Sequence, residues 1–154
     1  MIPAHTATLP MEAAVAHLKG AFRRLYEEER QRLADLLPIL RLTRPNVLVV
    51  GPAPDANRTF ERLRPYLRTP MTCWAPREMP QPPASHGTLV IQGVERLTTV
   101  QQERLLTWID GTPRERQIVS IAGEPLFPLV RRGAFLDRLY YQLNVVYLEL
   151  TASK

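Results

Sequence analysis

Between Met11 and Leu37 the apolar residues Val15, Leu18, Phe22, Leu25, Leu33, Leu36 and Leu37 recur at spacings of three, four and seven, with one longer gap across Glu27-Glu28-Glu29. That period puts them on one face of a long amphipathic helix. Arg23 with Glu27 and Arg24 with Glu28 add four-residue charge pairs on its outer face. Pro10 suits the helix start, and Pro38 marks a break or kink near its end. The stripe must be buried, either against the rest of the chain or against another subunit or partner. After Pro45 the pattern changes to short apolar runs. Asn46 to Val50 is continuous and ends at Gly51, the signature of a buried parallel strand. A loop from Gly51 to Asn57 and a helix from about Arg58 to Leu67 follow, with a short strand at Met71 to Ala75. Pro70, Pro76, Pro80, Pro82 and Pro83 make the next stretch a stiff loop. Thr88 to Ile91 is a second buried strand, and Thr98 to Ile109 a helix with Val100, Leu105, Leu106 and Ile109 inward. Gln117 to Ala122 is a strand, Pro125 to Arg131 a short helical segment, Ala134 to Leu143 a helix and Val145 to Leu150 a last strand. Apolar strands alternating with helices make βαβ units and a parallel sheet covered on both faces. The reading is an N-terminal helix and connector over residues 1–44 and an α/β core over residues 45–154.

Length and composition narrow this picture. With 154 residues, 45% of them apolar and 23% charged, the chain fits one ordinary globular domain plus the extra helix. It holds 15 Pro against 7 Gly, and loops that cradle phosphate need glycine where backbone must approach a ligand. The net charge of +5 is carried almost wholly by arginine, since Lys19 and Lys154 are the only lysines. Arginine pairs with carboxylate or phosphate, so a basic face toward nucleic acid or an acidic protein is one reading. Arginines spread over solvated faces are the simpler one, because no basic run exceeds the pairs Arg23-Arg24 and Arg131-Arg132. The lone Cys73 excludes an internal disulfide and a cysteine-rich metal site, and beside Trp74 it reads as core. His5, His17 and His86 form no metal pair or triad context, so no metal is expected. Ser85-His86 reads as loop, and Tyr140 and Tyr141 as packing rather than a base-stacking platform. Met1 to Pro10 carry neither a basic n-region nor a long apolar run, so the expectation is a cytoplasmic protein without signal peptide or membrane span.

Two stretches carry a more specific signal. Gly133-Ala-Phe-Leu-Asp-Arg-Leu-Tyr-Tyr-Gln-Leu-Asn-Val145 is similar to G-x-F-R-x-D-L-Y-Y-R-L-N-V. Gly87-Thr-Leu-Val-Ile-Gln-Gly-Val94, followed by Leu97 and Gln102-Glu-Arg-Leu-Leu106, is similar to G-T-L-F-L-D-E-I, L-P and Q-x-K-L-L. Both patterns belong to the AAA+ ATPase domain of bacterial sigma-54-dependent transcription activators, the enhancer-binding proteins, which the chain resembles from about Asn46 to Leu150. The resemblance implies a P-loop-like three-layer sandwich, here without the helical lid because the chain stops at Lys154, and no helix-turn-helix follows. Specific DNA binding through this chain is therefore not expected.

Position by position, the resemblance also implies a dismantled site. The phosphate-loop signature needs glycines whose N–H groups face phosphate and a lysine that neutralises it. Here it corresponds to Gly51-Pro-Ala-Pro-Asp-Ala-Asn-Arg58, which keeps only Gly51 and has Asn57 at the lysine position. Pro52 and Pro54 lack N–H donors, Asp55 is negative, and Arg58 is the one candidate substitute cation. The Asp-Glu pair that holds magnesium and polarises water is replaced by Gln92-Gly93, with Glu95 a displaced acid or, more simply, a solvated loop residue. The sensor asparagine falls at Gly123 and the two arginine fingers at Leu136 and Gln142, with Arg138 nearby at the family's aspartate position. The sigma-contacting G-A-F-T-G-A insertion has no counterpart in the proline-rich interval, and Gly133-Ala-Phe135 is only an echo of it. The expectation is a non-catalytic, cofactor-free AAA+-like pseudo-ATPase, a scaffold or regulator that binds a protein partner or itself, with the N-terminal helix as the candidate surface, in bacterial transcription or assembly. Nucleotide is not its expected ligand. A regulatory domain that binds nucleotide without hydrolysing it is the alternative, and a working sigma-54 activator ATPase the least favoured reading.

Overall fold

The computed structural model describes residues 11–83, 86–111 and 116–150; the side chains of residues 11, 14, 15, 18, 21–26 and 29 lie outside the description. The chain divides into two compact units, Met1–Pro38 and Ile39–Lys154. Helix α1, Met11–Thr43, runs on through Pro38, where the sequence pattern implies a break or kink, so the helix does not break there. One missing N–H does not stop it, because its last turn is anchored by the fully buried Leu40 and closed by Arg44 N–H and Thr43 Oγ1, which donate to the carbonyls of Leu40 and Ile39. The expected inward positions Val15, Leu18, Phe22 and Leu25, the pairs Arg23–Glu27 and Arg24–Glu28, and Pro10 all fall outside the described side chains or residues. Leu33, Leu36 and Leu37 are half-buried.

The second unit alternates strands and helices as the apolar runs require. Its elements are β1 (Val47–Val50), α2 (Ala53–Leu63), β2 (Met71–Cys73), β3 (Thr88–Gln92), α3 (Thr99–Asp110), β4 (Gln117–Ala122), α4 (Phe127–Arg131), α5 (Asp137–Leu143) and β5 (Val146–Glu149), with 3-10 turns at Arg64–Tyr66 and Val94–Arg96. The strands form one five-stranded, wholly parallel sheet in the order β2-β3-β4-β1-β5. β1 is fully buried, and its residues alternate between two faces. Leu48 and Val50 join Leu89, Ile91, Ile118 and Ala122 in a core closed by Leu105, Leu129, Leu139 and Leu143 of α3, α4 and α5. Val47, Val49, Val90, Val119 and Ile121 face the other way, where α2 packs on β1 with Ala56 and Leu63 buried. The result is the three-layer α/β sandwich that the strand and helix alternation implies.

Three local expectations change. Cys73 is exposed rather than core, because strand alternation at the sheet edge sends the neighbouring Trp74 inward instead. Val100 is 53% exposed, and the buried residue of the first turn of α3 is Gln102. Helix α5 starts at Asp137, not Ala134, since Gly133 at φ +74 ends the preceding turn and Leu136 is the N-cap. Among the described residues of the proline-rich interval after β2, no helix or strand forms before β3. No described helix is long and apolar enough to cross a membrane.

Candidate functional site at the carboxyl end of the sheet

In open parallel sheets ligands bind beyond the carboxyl ends of the strands, and the dissected positions converge there. The register pairs Val50 with Ala122 and Glu149, and Gln92 with Ile121, so Gly51, Gly93, Gly123 and Leu150 follow directly on adjacent strands. Gly51 is followed at once by helix. Pro52 is the N-cap at φ −56 and ψ 141, and α2 begins at Ala53 with Pro54 in its first turn. This corrects the expected loop over Gly51 to Asn57. Two prolines with φ already near the helical value and Asp55 at the positive end of the helix dipole favour an early start. Asn57 and Arg58 consequently sit in the second turn of α2, exposed, and the Arg58 guanidinium is paired with the carboxylate of Asp55 on its own helix. Gly51 itself serves packing. A Cβ there would lie 2.8 Å from the Leu150 Cβ, and its N–H donates to the Ala122 carbonyl at 3.0 Å. The glycine at the phosphate-loop position is thus accounted for by the close approach of the end of β5.

At the end of β3, Gln92 is exposed and Gly93 adopts φ +67 as the cap of the Val94–Arg96 turn. The positive φ favours glycine there, and a Cβ would also displace the Arg96 guanidinium, whose nearest nitrogen lies 2.4 Å away. Glu95 is not the solvated loop residue that the sequence suggests. It is half-buried, its Oε2 is shielded with no hydrogen-bond partner among the described residues, and its Oε1 lies 3.2 Å from where a Cβ on Gly123 would stand. The turn swings this carboxylate across the end of β4, into the space that a sensor side chain would otherwise occupy. Glu124 and Asp55 add further carboxylates after β4 and β1. Among the described residues no group of three His, Cys, Asp or Glu side chains is placed to hold a metal ion. Beside the acid positions opens a cleft of about 670 Å³, lined by Gln92, Gly93, Arg96, Thr98, Gln101 and the exposed Cys73 among others.

The two finger positions separate. Leu136 is half-buried and packs against the core, whereas Gln142 is exposed and its carbonyl accepts from Asn46 Nδ2 at 2.9 Å. Arg138 forms a two-pronged pair with Asp110, at 3.0 and 3.1 Å, which ties α5 to the end of α3. Tyr140 is half-buried, with its hydroxyl accepting from Asn144 Nδ2 at 2.9 Å, while Tyr141 is 67% exposed. The residue that sequence reasoning passed over is Gln102. Fully buried, it donates from Nε2 to the carbonyls of Leu97 and Ala134 at 2.9 and 3.0 Å and accepts the Leu136 N–H at 2.8 Å. Its only sequence signal is its place in the Q-x-x-L-L pattern, directly after the Thr98–Gln101 capping box.

The carboxyl end of the five-stranded parallel sheet, with the helices that flank it, therefore gathers Gly51, Gln92, Gly93, Glu95 and Gly123 in one place. Fold and site together define an α/β domain of the P-loop AAA+ type. The chain belongs to the sigma-54 interaction domain family, whose model matches residues 28–152. Among solved structures it is similar to ATP-bound NtrX of Brucella abortus, with a TM-score of 0.59 at 16% identity over 92% of this chain and 42% of that one. It is also similar to the P-loop NTPase domain of a sigma-54 transport activator from E. coli, with a TM-score of 0.60 at 20% identity over 82% of this chain and 96% of that one. A more distant likeness is to RuvB of Thermotoga maritima, at a TM-score of 0.54 and 16% identity over 80% of this chain and 44% of that one. The chain thus spans less than half the length of NtrX. No curated protein sequence gives a significant match.

Proposed function

We propose that this sigma-54 interaction domain is non-catalytic and works by binding protein, as a scaffold or regulatory module of a transcription-linked assembly. The observation that carries the reading is the start of α2 at Ala53, two residues after Gly51. A phosphate loop wraps its N–H groups around the β-phosphate before the helix begins, and here the helix occupies that stretch of chain, with Pro52 and Pro54 lacking N–H and Asp55 engaging Arg58. The half-buried Glu95 carboxylate over Gly123 adds negative charge where phosphate charge would develop. With Leu136 packed inward and Gln142 neutral, no finger charge is available to a neighbour. The assay is phosphate release by the purified chain with ATP and magnesium. Turnover no greater than in protein-free buffer is expected, and turnover that disappears on Arg58→Ala would overturn the proposal.

A second reading, nucleotide binding without hydrolysis, draws support from the structural relative NtrX, which was solved with ATP and with ADP. Isothermal titration with ATP and ADP, with and without magnesium, separates the two. Saturable binding at micromolar concentration selects the second reading, and flat titrations select the first.

A further inference from the structure

A parallel sheet enters all its strands from one end, so the residues that precede the strands gather on one side of the domain. Across the sheet in the order β2, β3, β4, β1, the entry residues are Arg68, His86, Arg116 and Arg44. Arg41 joins the same end, its guanidinium 5.0 Å above the ring of Tyr66, the residue that leads through Leu67 into Arg68. Arg116 lies 4.8 Å above the ring of Trp108. The buried Gln117 ties these entries together, accepting the Arg68 N–H at 3.2 Å and donating to the Pro45 carbonyl at 2.7 Å. The Nε atoms of Arg68 and Arg116 are buried with no hydrogen-bond partner among the described residues. None of these four arginines forms an ion pair with a described residue. Among the described residues, Asp110 and Glu61 are paired with Arg138 and Arg64. At the carboxyl end the two signs alternate instead, as in Asp55 with Arg58 and Glu95 beside Arg96.

We propose that the amino-terminal end of the sheet is a docking surface for the sugar-phosphate backbone of a nucleic acid, bound without base readout. Entry points on four neighbouring strands make a row about 14 Å long at the ~4.8 Å strand spacing, which suits a linear polyanion better than a compact acidic patch. The cations are guanidinium forks, two of them held over aromatic rings, which fixes their direction and favours bidentate contact with phosphate. The surface is separate from the dissected nucleotide site, at the opposite end of the strands, and does not depend on whether that site is active.

The test is fluorescence anisotropy of a labelled mixed-sequence DNA duplex and its single strand, titrated with the full chain between about 50 and 200 mM salt. Saturable, sequence-independent binding that weakens with salt is expected. The variant Arg44→Asn/Arg68→Gln/Arg116→Gln should lower affinity about tenfold and reduce the log–log salt slope by roughly 2 to 3 for duplex. Asn is chosen at position 44 because Arg44 has φ +49. A control with the same loss of charge, Arg62→Gln/Arg131→Gln/Arg132→Gln, replaces three exposed side chains and should stay within about twofold of the unmodified chain. If the first variant does not fold by circular dichroism, Arg41→Gln/Arg44→Asn replaces two exposed side chains and should still reduce the slope by about 2. Absence of binding, an equal loss in the control, or an unchanged slope would overturn the proposal. So would polyglutamate that displaces the DNA at equal charge concentration, which would assign the surface to an acidic protein.

Discussion

Replacing Gln102 by Met removes a polar bridge while keeping side-chain length and most of the volume. The unmodified amide makes three hydrogen bonds, at 2.8, 2.9 and 3.0 Å, to backbone groups of Leu97, Ala134 and Leu136 that belong to two separate chain segments. A hydrogen bond contributes about 1 kcal/mol net, but leaving its buried partner unpaired costs about 1 to 3 kcal/mol. The Leu97 carbonyl is bonded in a buried setting, whereas the Ala134 and Leu136 groups are only partly buried and can recruit water. Counting one full penalty and two reduced ones gives a loss of about 3 kcal/mol, a large share of the ~5 to 15 kcal/mol by which domains of this kind are stable. The melting temperature should fall by roughly 6 to 12 °C at this chain length. Urea unfolding followed by circular dichroism measures it, with the slope against denaturant unchanged if the effect is on the folded state. A loss below about 1 kcal/mol would show that water or backbone adjustment replaces the bridge, and would refute the claim that Gln102 holds the segment before α5.

Two further outcomes follow from the same geometry. Point reversion at the dissected positions, Asn57→Lys with Gln92→Asp and Gly93→Glu, should not create ATP turnover in a phosphate-release assay, because position 57 lies in the second turn of α2 and Gly93 is required at φ +67; turnover in that variant would mean the loop forms on binding. Tyr147 should titrate late: burial first, then the nearby Glu149 and Tyr140, push its pKa from 10.0 to about 12. The folded state therefore holds the phenolic proton more tightly than the unfolded one, so this contribution is fully present below pH 10 and is lost as pH rises toward about 12. Spectrophotometric titration of the tyrosines should show a high-pH component that disappears in Tyr147→Phe, and identical curves would contradict the assignment.

Sheet and helices were legible because the buried strands are predominantly apolar runs, most plainly at Val47–Val50 before Gly51. The strand order was not legible, because the apolar runs say nothing of which strands are neighbours. Helix boundaries were less legible where proline was read as a stop. Pro38 lies inside α1, and Pro52 and Pro54 begin α2 instead of holding a loop open. Proline breaks a helix interior but favours its first turn, and only the tertiary anchor, such as Leu40, decides which effect wins. At the site, substitutions were readable residue by residue, but their mutual placement was not. That Glu95 reaches across to Gly123 depends on the left-handed turn at Gly93, and that Gln102 is buried depends on the loop before α5 arriving above it.

The three glycines at the strand ends show how such a site becomes self-consistent. Each stands where the resemblance implies a nucleotide-handling residue or a ligand-facing loop, and each is closely approached by a protein neighbour. Gly51 makes room for Leu150, Gly93 for the turn and the Arg96 guanidinium, and Gly123 for the Glu95 carboxylate. A substitution at Gly51 would press on the Leu150 Cβ and backbone, at Gly93 the φ of +67 rather than the Arg96 guanidinium sets the cost, and at Gly123 the Glu95 carboxylate needs to shift only a few tenths of an ångström. The 2.8 Å approach to Leu150 is the contact that cannot swing aside, and packed interiors pass such strain to their neighbours. On the proposed non-catalytic reading, the sheet and its flanking helices, rather than the phosphate-loop positions, are where binding partners of this domain should be sought.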